Sequence, residues 1–323
     1  MILCIVIPAY NEEVMLTQTY QEVSLVLNAL IKQGEIARES FICFIDDGSK
    51  DKTWEILKGI SQNESMSEVI AVSVIKLSRN YGHQNALLAG LEYVANKCDC
   101  AISIDCDLQD DVAVISEFVK KAKAGAEVIY GVRKTRHKDS VFKKYSALMF
   151  YRLMEIMGVK IIYNHADYRL LSARAIKSLL HFSEVNLFLR GIVPLLGFKT
   201  DVVEYDRLER FAGESKYPLK KMLSFAWNGI TSFSIVPLRF VSMLGITFFI
   251  FSLLLIGYVL FVKIFTDNVV QGWASVIIPL CFFSGIQLLG LGVVGEYIGK
   301  IYAETKARPR YFIEEIIISN ETH

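Results

Sequence analysis

The chain has 323 residues, with 35 Lys and Arg against 34 Asp and Glu, and its net charge of +1 makes no case for nucleic acid as a partner. The length suggests roughly two domains. A hydrophobic fraction of 53% and a mean hydropathy of +0.36 are high for a wholly soluble chain, and the excess is concentrated rather than spread. Phe240 to Val262 carry no charge, and neither do Ala274 to Gly295. Each run is long enough for a membrane-crossing helix, which needs about 20 residues. Two transmembrane helices are expected, at about 240–262 and 274–295.

Six cysteines (Cys4, Cys43, Cys98, Cys100, Cys106 and Cys281) follow no disulfide or zinc spacing, and Cys98-x-Cys100 is too short for a zinc pair. Reduced, buried thiols in a cytosolic domain are expected. The N-terminus runs straight into a strand, without a basic segment or cleavage site, so it does not read as a secretory signal.

In chain order, Ile2 to Pro8 is a continuous apolar run suited to a parallel strand buried on both faces. It breaks into Ala9-Tyr-Asn-Glu-Glu13, and a helical pattern follows to about Lys32. Phe41 to Ile45 is a second strand, ending in Asp46-Asp-Gly-Ser-Lys-Asp-Lys-Thr53 before a helix to about Gln62. Val69 to Leu77 is the third, ending in Ser78-Arg-Asn-Tyr-Gly-His-Gln84 before a helix around Asn85 to Asn96. Ala101 to Ile104 is the fourth, and it stops in Asp105-Cys-Asp-Leu-Gln-Asp110. A helix over Val112 to Ala124 and a strand at Glu127 to Gly131 follow. Strand, polar loop and helix, repeated four times, predict a parallel or mainly parallel α/β sheet with helices on both faces. Open sheets of this kind bind ligands at the C-terminal ends of their strands.

Further on, Tyr145 to Gly158 reads as a helix, and Asp167 to Ser172 as the start of another strand-to-helix element. Arg207 to Tyr217 suits a loop, and Pro218 to Pro237 an interfacial amphipathic helix or an ordinary surface helix. Lys220, Lys221 and Arg239 precede the first apolar run. Lys300, Lys306, Arg308 and Arg310 follow the second, and the connector Thr266 to Trp273 has no Lys or Arg. Lys263 is the one discordant charge. The positive-inside rule therefore predicts a hairpin with both termini cytoplasmic.

The four strand ends offer Tyr10, Asn11 and Glu12; Asp46 and Asp47; Arg79, Asn80 and His83; and Asp105, Asp107 and Gln109. Carboxylates at two of these ends repel one another unless they serve something cationic or rich in donors. A nucleotide with a bound divalent cation meets that need: ribose hydroxyls and a uracil N–H donate to Asp46 and Glu12, while the metal joins Asp107 to the diphosphate. The plainer alternative for any single loop is a helix N-cap. Asp110 is expected to cap the helix that follows it, and His83 and His165 to be structural. Neither a G-x-G-x-x-G nor a P-loop is present, and no G-x-S-x-G elbow.

Ile7-Pro-Ala-Tyr-Asn-Glu-Glu13, Asp46 to Thr53, Arg79 to Gln84 and Asp105 to Asp110 together resemble family 2 of the glycosyltransferases, which implies a GT-A fold. Asp167-Tyr-Arg-Leu-Leu-Ser172, Gly213-Glu-Ser-Lys-Tyr217, Gly229-Ile-Thr-Ser-Phe233, Pro237-Leu-Arg239 and Gly295 to Tyr302 narrow the resemblance to the polyprenyl-phosphate hexosyltransferases. These include the bacterial undecaprenyl-phosphate glucosyltransferases of O-antigen modification and, more distantly, dolichol-phosphate mannose synthase. Cys106 departs from the Ala or Val more usual there.

The resemblance implies that Pro8, Tyr10, Glu12 and Asp46 cradle the nucleotide of a UDP-sugar, with Asp105 and Lys216 beside it. Asp105, Asp107 and Gln109 would hold Mg²⁺ or Mn²⁺ and the diphosphate. Arg133, Arg169 and Ser215 would meet the phosphate of undecaprenyl phosphate, and Asp107, Asp167 and Arg169 would act in catalysis. Ser215 and Lys216 would lie on a loop closing over the site. It further implies inversion at the bacterial inner membrane, with a flippase and a second glycosyltransferase downstream. Glucose leads; N-acetylglucosamine, galactose and mannose stay open, as does a non-catalytic nucleotide- or lipid-binding membrane protein. A processive synthase is disfavoured, because no Arg-Trp pair is present. The expected organisation is a catalytic domain over 1–217, a juxtamembrane helix over 218–238, the hairpin over 239–298 and a cytoplasmic tail over 299–323. Gly285, Gly290, Gly292 and Gly295 would permit close helix packing, which leaves a homo-oligomer open.

Overall fold

A computed structural model describes residues 1–62, 70–133, 165–185, 188–206, 236–265 and 273–319. The expected helix at 145–158, the loop at 207–217, the segment up to 235 and the connector at 266–272 lie outside those residues. Contacts divide the chain into two units.

In the first unit, β1 (Leu3–Ala9), β2 (Phe41–Asp46), β3 (Ala71–Leu77) and β4 (Cys100–Ser103) pair in parallel in the order β4-β1-β2-β3. β1 and β2 are buried at every residue, which is why they read as unbroken apolar runs. Alternation sorts β1 between two layers. Leu3, Ile5 and Ile7 share a core with Leu16, Tyr20, Val23 and Leu27 of α1 (Leu16–Lys32). Val6 and Ile45 face α3 (His83–Val94), where a Cβ built on Gly90 would lie 2.6 Å from Val6 Cγ1 and 2.5 Å from Ile45 Cδ1. Helix and sheet meet there at a distance that only glycine allows. α2 (Thr53–Gln62) follows β2.

Beyond β4 the sheet becomes mixed. A 3₁₀ turn (Val112–Val114) leads into α4 (Ile115–Lys123) and β5 (Val128–Arg133). β6 (His165–Ser172) runs antiparallel between β4 and β5, and β7 (Thr200–Tyr205) lies parallel to β5 at the edge. α5 (Ala173–Leu180) and the short α6 (Leu189–Ile192) connect β6 to β7. Because β6 is antiparallel, its first residues come up beside the last residues of β4. That reversal sets Asp167 next to the loop after Ser103.

Two strands were not anticipated: β7, in a stretch between Val185 and Asp206 whose pattern is unclear, and one near the C-terminus. Within the expected tail, Ile313–Ile318 forms β8, antiparallel to β3 at the opposite edge of an eight-stranded sheet. Glu314 and Glu315 interrupt its apolar run. Lys76 bonds Glu314 at 3.0 Å and Lys58 lies 3.6 Å from Glu315, so partners far away in sequence accommodate both charges.

The second unit contains α7 (Val236–Phe265) and α8 (Trp273–Thr305), and the two expected apolar runs fall within them. The helices are antiparallel: Phe248 meets Phe283 at 5.4 Å between ring centroids, and a Cβ on Gly290 would lie 3.2 Å from Val241. Among the described residues one stretch, Phe282–Thr305, is long and apolar enough to cross a membrane by length and composition. Met243, Ile246, Leu254, Leu288 and Leu291 are among its and its neighbour's exposed side chains. An apolar surface of this extent is a docking or membrane surface rather than an ordinary solvated one.

Candidate active site

The loops after β1 and β2 are laced together. Asp47 N–H donates to Ala9 O at 2.9 Å, Asn11 N–H to Ser49 Oγ at 3.0 Å, and Lys50 N–H to Asn11 Oδ1 at 2.8 Å. Glu12 N–H donates to Thr53 Oγ1 at 2.9 Å. Asn11 takes the left-handed conformation (φ 55°), one that asparagine tolerates well. Asp46 is fully buried, and its Oδ1 accepts from Ser49 N–H at 3.0 Å while Oδ2 has no partner among the described residues. Burial pushes the Asp46 carboxyl up despite the Ser49 bonds. An orphaned buried acceptor of this kind calls for a donor from a ligand.

Asp47 does a different job. Its two oxygens accept from Tyr81 N–H at 2.7 Å and Gly82 N–H at 2.9 Å, clamping the loop that starts α3. Gly48 permits the clamp: its φ is +66°, and a Cβ there would lie 2.4 Å from the Arg79 carbonyl carbon. Gly48→Ala is therefore expected to cost about 1–3 kcal/mol or more from overpacking against backbone. Thermal unfolding of the variant checks this, and an unchanged midpoint contradicts it.

After β4, Ile104 N–H still donates to Val6 O at 3.2 Å, and then the chain turns. Thr19 Oγ1 donates to Cys106 O at 2.7 Å, Leu108 takes φ 50°, and Gln109 N–H donates to Asp107 Oδ1 at 3.2 Å. A buried leucine in the left-handed region is strained, and such residues cluster at functional loops. The Cys106 thiol is buried and pushed up to about 12, so it is an inert filler between the aspartates. Desolvation pushes the Asp105 carboxyl up to about 6; His83 opposes this, and Asp167, Asp110 and Asp107 add to it. His83 Nε2 stands 3.5 Å from Asp105 and 3.9 Å from Asp167, inside the cluster rather than apart from it.

Asp167 receives Arg190 at both oxygens, Nε to Oδ1 at 3.2 Å and Nη2 to Oδ2 at 3.0 Å, and also pairs with Arg169. Burial alone would raise this carboxyl, but Arg169, Arg190 and His83 hold it well below the usual range. Arg169 is only 2% exposed, and its Nε and Nη1 have no partner among the described residues.

The expected residues Glu12, Asp46, Asp105, Asp107, Gln109, Asp167 and Arg169 thus sit on one end of the sheet, with Pro8 next to the last residue of β1 and Tyr10 exposed just beyond the strand. Ser215 and Lys216 lie outside the described residues. Arg133 is engaged elsewhere: it bonds Asp110 at 3.2 Å and Tyr205 Oη at 3.3 Å. Asp110 also accepts from Tyr205 Oη at 2.6 Å and is 2% exposed. It does not cap the next helix. Asp111 does, accepting from Ala113 N–H at 2.9 Å, because Asp110 is turned inward to satisfy Arg133 and Tyr205. Arg190 and Gln84 were missed as a pair. Gln84 lay in a quoted motif, whereas Leu189-Arg-Gly191 carries no sequence signal beyond one basic residue in an apolar setting.

A mainly parallel sheet thus carries carboxylates, an orphaned acceptor and a buried guanidinium at the C-terminal ends of its strands, where open α/β sheets bind ligands. The family described as Glycosyl transferase family 2 matches residues 4–180, and the chain belongs to that family and is a glycosyltransferase of GT-A fold. It is 50% identical over 313 residues to an uncharacterized glycosyltransferase, YkoT, of Bacillus subtilis, with 97% of this chain and 91% of that one covered. It is 38% identical to the bactoprenol glucosyl transferase of Shigella phage SfX (96% and 98% covered). To a prophage bactoprenol glucosyl transferase homolog of Escherichia coli K12 it is 36% identical (97% and 98% covered).

Proposed function

We propose that the chain transfers glucose, with inversion, from UDP-glucose to undecaprenyl phosphate at a membrane surface. The observation that carries the reading is the pairing at one sheet end of an acidic loop with a buried arginine that is tied to Asp167 and whose Nε and Nη1 have no partner among the described residues. Full-length relatedness to proteins named bactoprenol glucosyl transferases supports both the sugar and the lipid.

The acceptor explains why no strong base is needed. A phosphate monoester carries about −1.5 to −2 charge at neutral pH, so its oxygen is already an anionic nucleophile. Asp167, held ionised by its two arginines, is a poor proton acceptor and a good orienting group. Arg169 would hold the attacking phosphate in line, and Asp46 and Glu12 would fix the nucleotide. Among the described residues no group of three or more His, Cys, Asp or Glu forms a ready cage for a metal. The donor set still fits a hard divalent cation: Asp105 is destabilised as an anion by desolvation and further by three neighbouring aspartates, and Asp107 and Gln109 follow on the same strained loop. Asp105, Asp107 and Gln109 would hold Mg²⁺ or Mn²⁺, which supplies charge stabilisation for the departing diphosphate.

Charge distribution supports a hairpin of α7 and α8 with both termini cytoplasmic, anchoring a catalytic domain to which β8, from beyond the hairpin, contributes an edge strand, so that the domain is not confined to the expected 1–217. Lys216 and Ser215 would belong to a closing loop. A panel of UDP-sugars against one lipid phosphate tests the assignment. Glucose is expected to transfer fastest, giving a product of opposite anomeric configuration by NMR. Faster transfer of N-acetylglucosamine or galactose, or retention of configuration, overturns it.

A further inference from the structure

Several elements fix Arg190, which the reading above leaves without a role. It sits on α6, whose first amide, Leu189 N–H, donates to the Gln84 side chain at 2.9 Å across 105 residues of sequence. Gln84 stands in the first turn of α3, one residue after His83. The first turn of α3 thus sets the start of α6, and from there Arg190 grips both oxygens of Asp167. Asp167 also pairs with Arg169, so two guanidiniums share one carboxylate and the trio carries a net charge of +1.

Asp105 also acts on Arg169, yet Arg169 is 2% exposed and its Nε and Nη1 have no hydrogen-bond partner among the described residues. A buried cation with orphaned donors is completed by an anion. Arg190 keeps 35% of its side chain exposed, so it stands at the solvent side of the trio. In the sheet order β2-β1-β4-β6, Asp46 closes β2 and the arginine pair lies by β6, on the other side of the Asp105–Asp107 loop. That separation favours the acceptor's phosphate over the donor's nucleotide.

We infer that Arg190 and Arg169, spaced by Asp167, form a two-guanidinium seat for the phosphate monoester of the acceptor, and that Gln84 is a positioning residue that sets Arg190 through α6. The inference rests on the lipid-phosphate acceptor proposed above. Arg190→Gln, Arg190→Lys and Gln84→Met in the full chain test it, with a short-chain prenyl phosphate as acceptor. Arg190→Gln is expected to raise the acceptor KM roughly ten- to hundredfold, as loss of a charge-assisted bond does, and to leave the KM for UDP-glucose unchanged. Arg190→Lys should lose less, because charge persists without the fork. Gln84→Met should shift the acceptor KM in the same direction by a smaller factor.

A second readout needs no turnover. The prenyl phosphate, but not the matching prenyl alcohol, should raise the melting temperature of the wild type and not that of Arg190→Gln. An unchanged acceptor KM, or a rise confined to UDP-glucose, overturns the seat. If the wild type transfers no glucose at all, the glucosyl reading fails, while the phosphate-dependent melting shift still decides the seat.

Discussion

Replacing Asp107 by alanine is expected to lower sugar transfer roughly a hundred- to a thousandfold or more while the chain stays folded. The loss follows from the role proposed for the carboxylate, since stabilising a departing diphosphate is the largest demand the reaction makes. Folding is expected to survive because other contacts hold the loop: Thr19 bonds the Cys106 carbonyl at 2.7 Å, and Leu108 is buried beneath it. Initial rates across a Mn²⁺ titration, with thermal unfolding as the control, measure both halves. Wild-type turnover by the variant at saturating Mn²⁺ would remove Asp107 from the metal site.

Asp167→Ala is expected to act on stability as well as on rate. It strips the shared carboxylate from Arg169 and Arg190, leaving one buried guanidinium uncompensated and facing a second. Breaking a buried pair from one side typically costs about 3–5 kcal/mol, because the abandoned charge stays desolvated. The double variant Asp167→Ala/Arg169→Met should recover much of that stability and none of the activity. Melting temperatures of the three proteins decide it. A single variant as stable as the wild type would show that the pair is not buried in the working enzyme.

Much of this molecule could be read from residue order. β1 and β2 are unbroken apolar runs because both faces are covered, and each ends in polar residues where the sheet ends. Asp46, Asp105, Asp107 and Gln109 were legible for that reason, and lying at the C-terminal ends of neighbouring strands brought them together. What escaped depended on pairings between distant segments. β8 has adjacent glutamates that break its pattern; as an edge strand it leaves both exposed, and they pair with Lys58 and Lys76, more than 200 residues earlier. Asp110 looked like a cap because Asp110 and Asp111 are the same residue type; Tyr205 and Arg133 select which one turns inward. Asp47 resembled a ligand and is a brace, since its partners are two backbone amides of another loop. Arg190 was invisible because its role is defined by Asp167 and Gln84, neither of them near it in the chain.

The most direct measurement incubates the purified full-length protein with radiolabelled UDP-glucose, undecaprenyl phosphate and Mn²⁺, then partitions the label between water and organic solvent. Label is expected in the organic phase, dependent on the lipid phosphate and absent with Asp107→Ala. Label found only in water, whether as unreacted donor or as free glucose, would contradict transfer to a lipid phosphate.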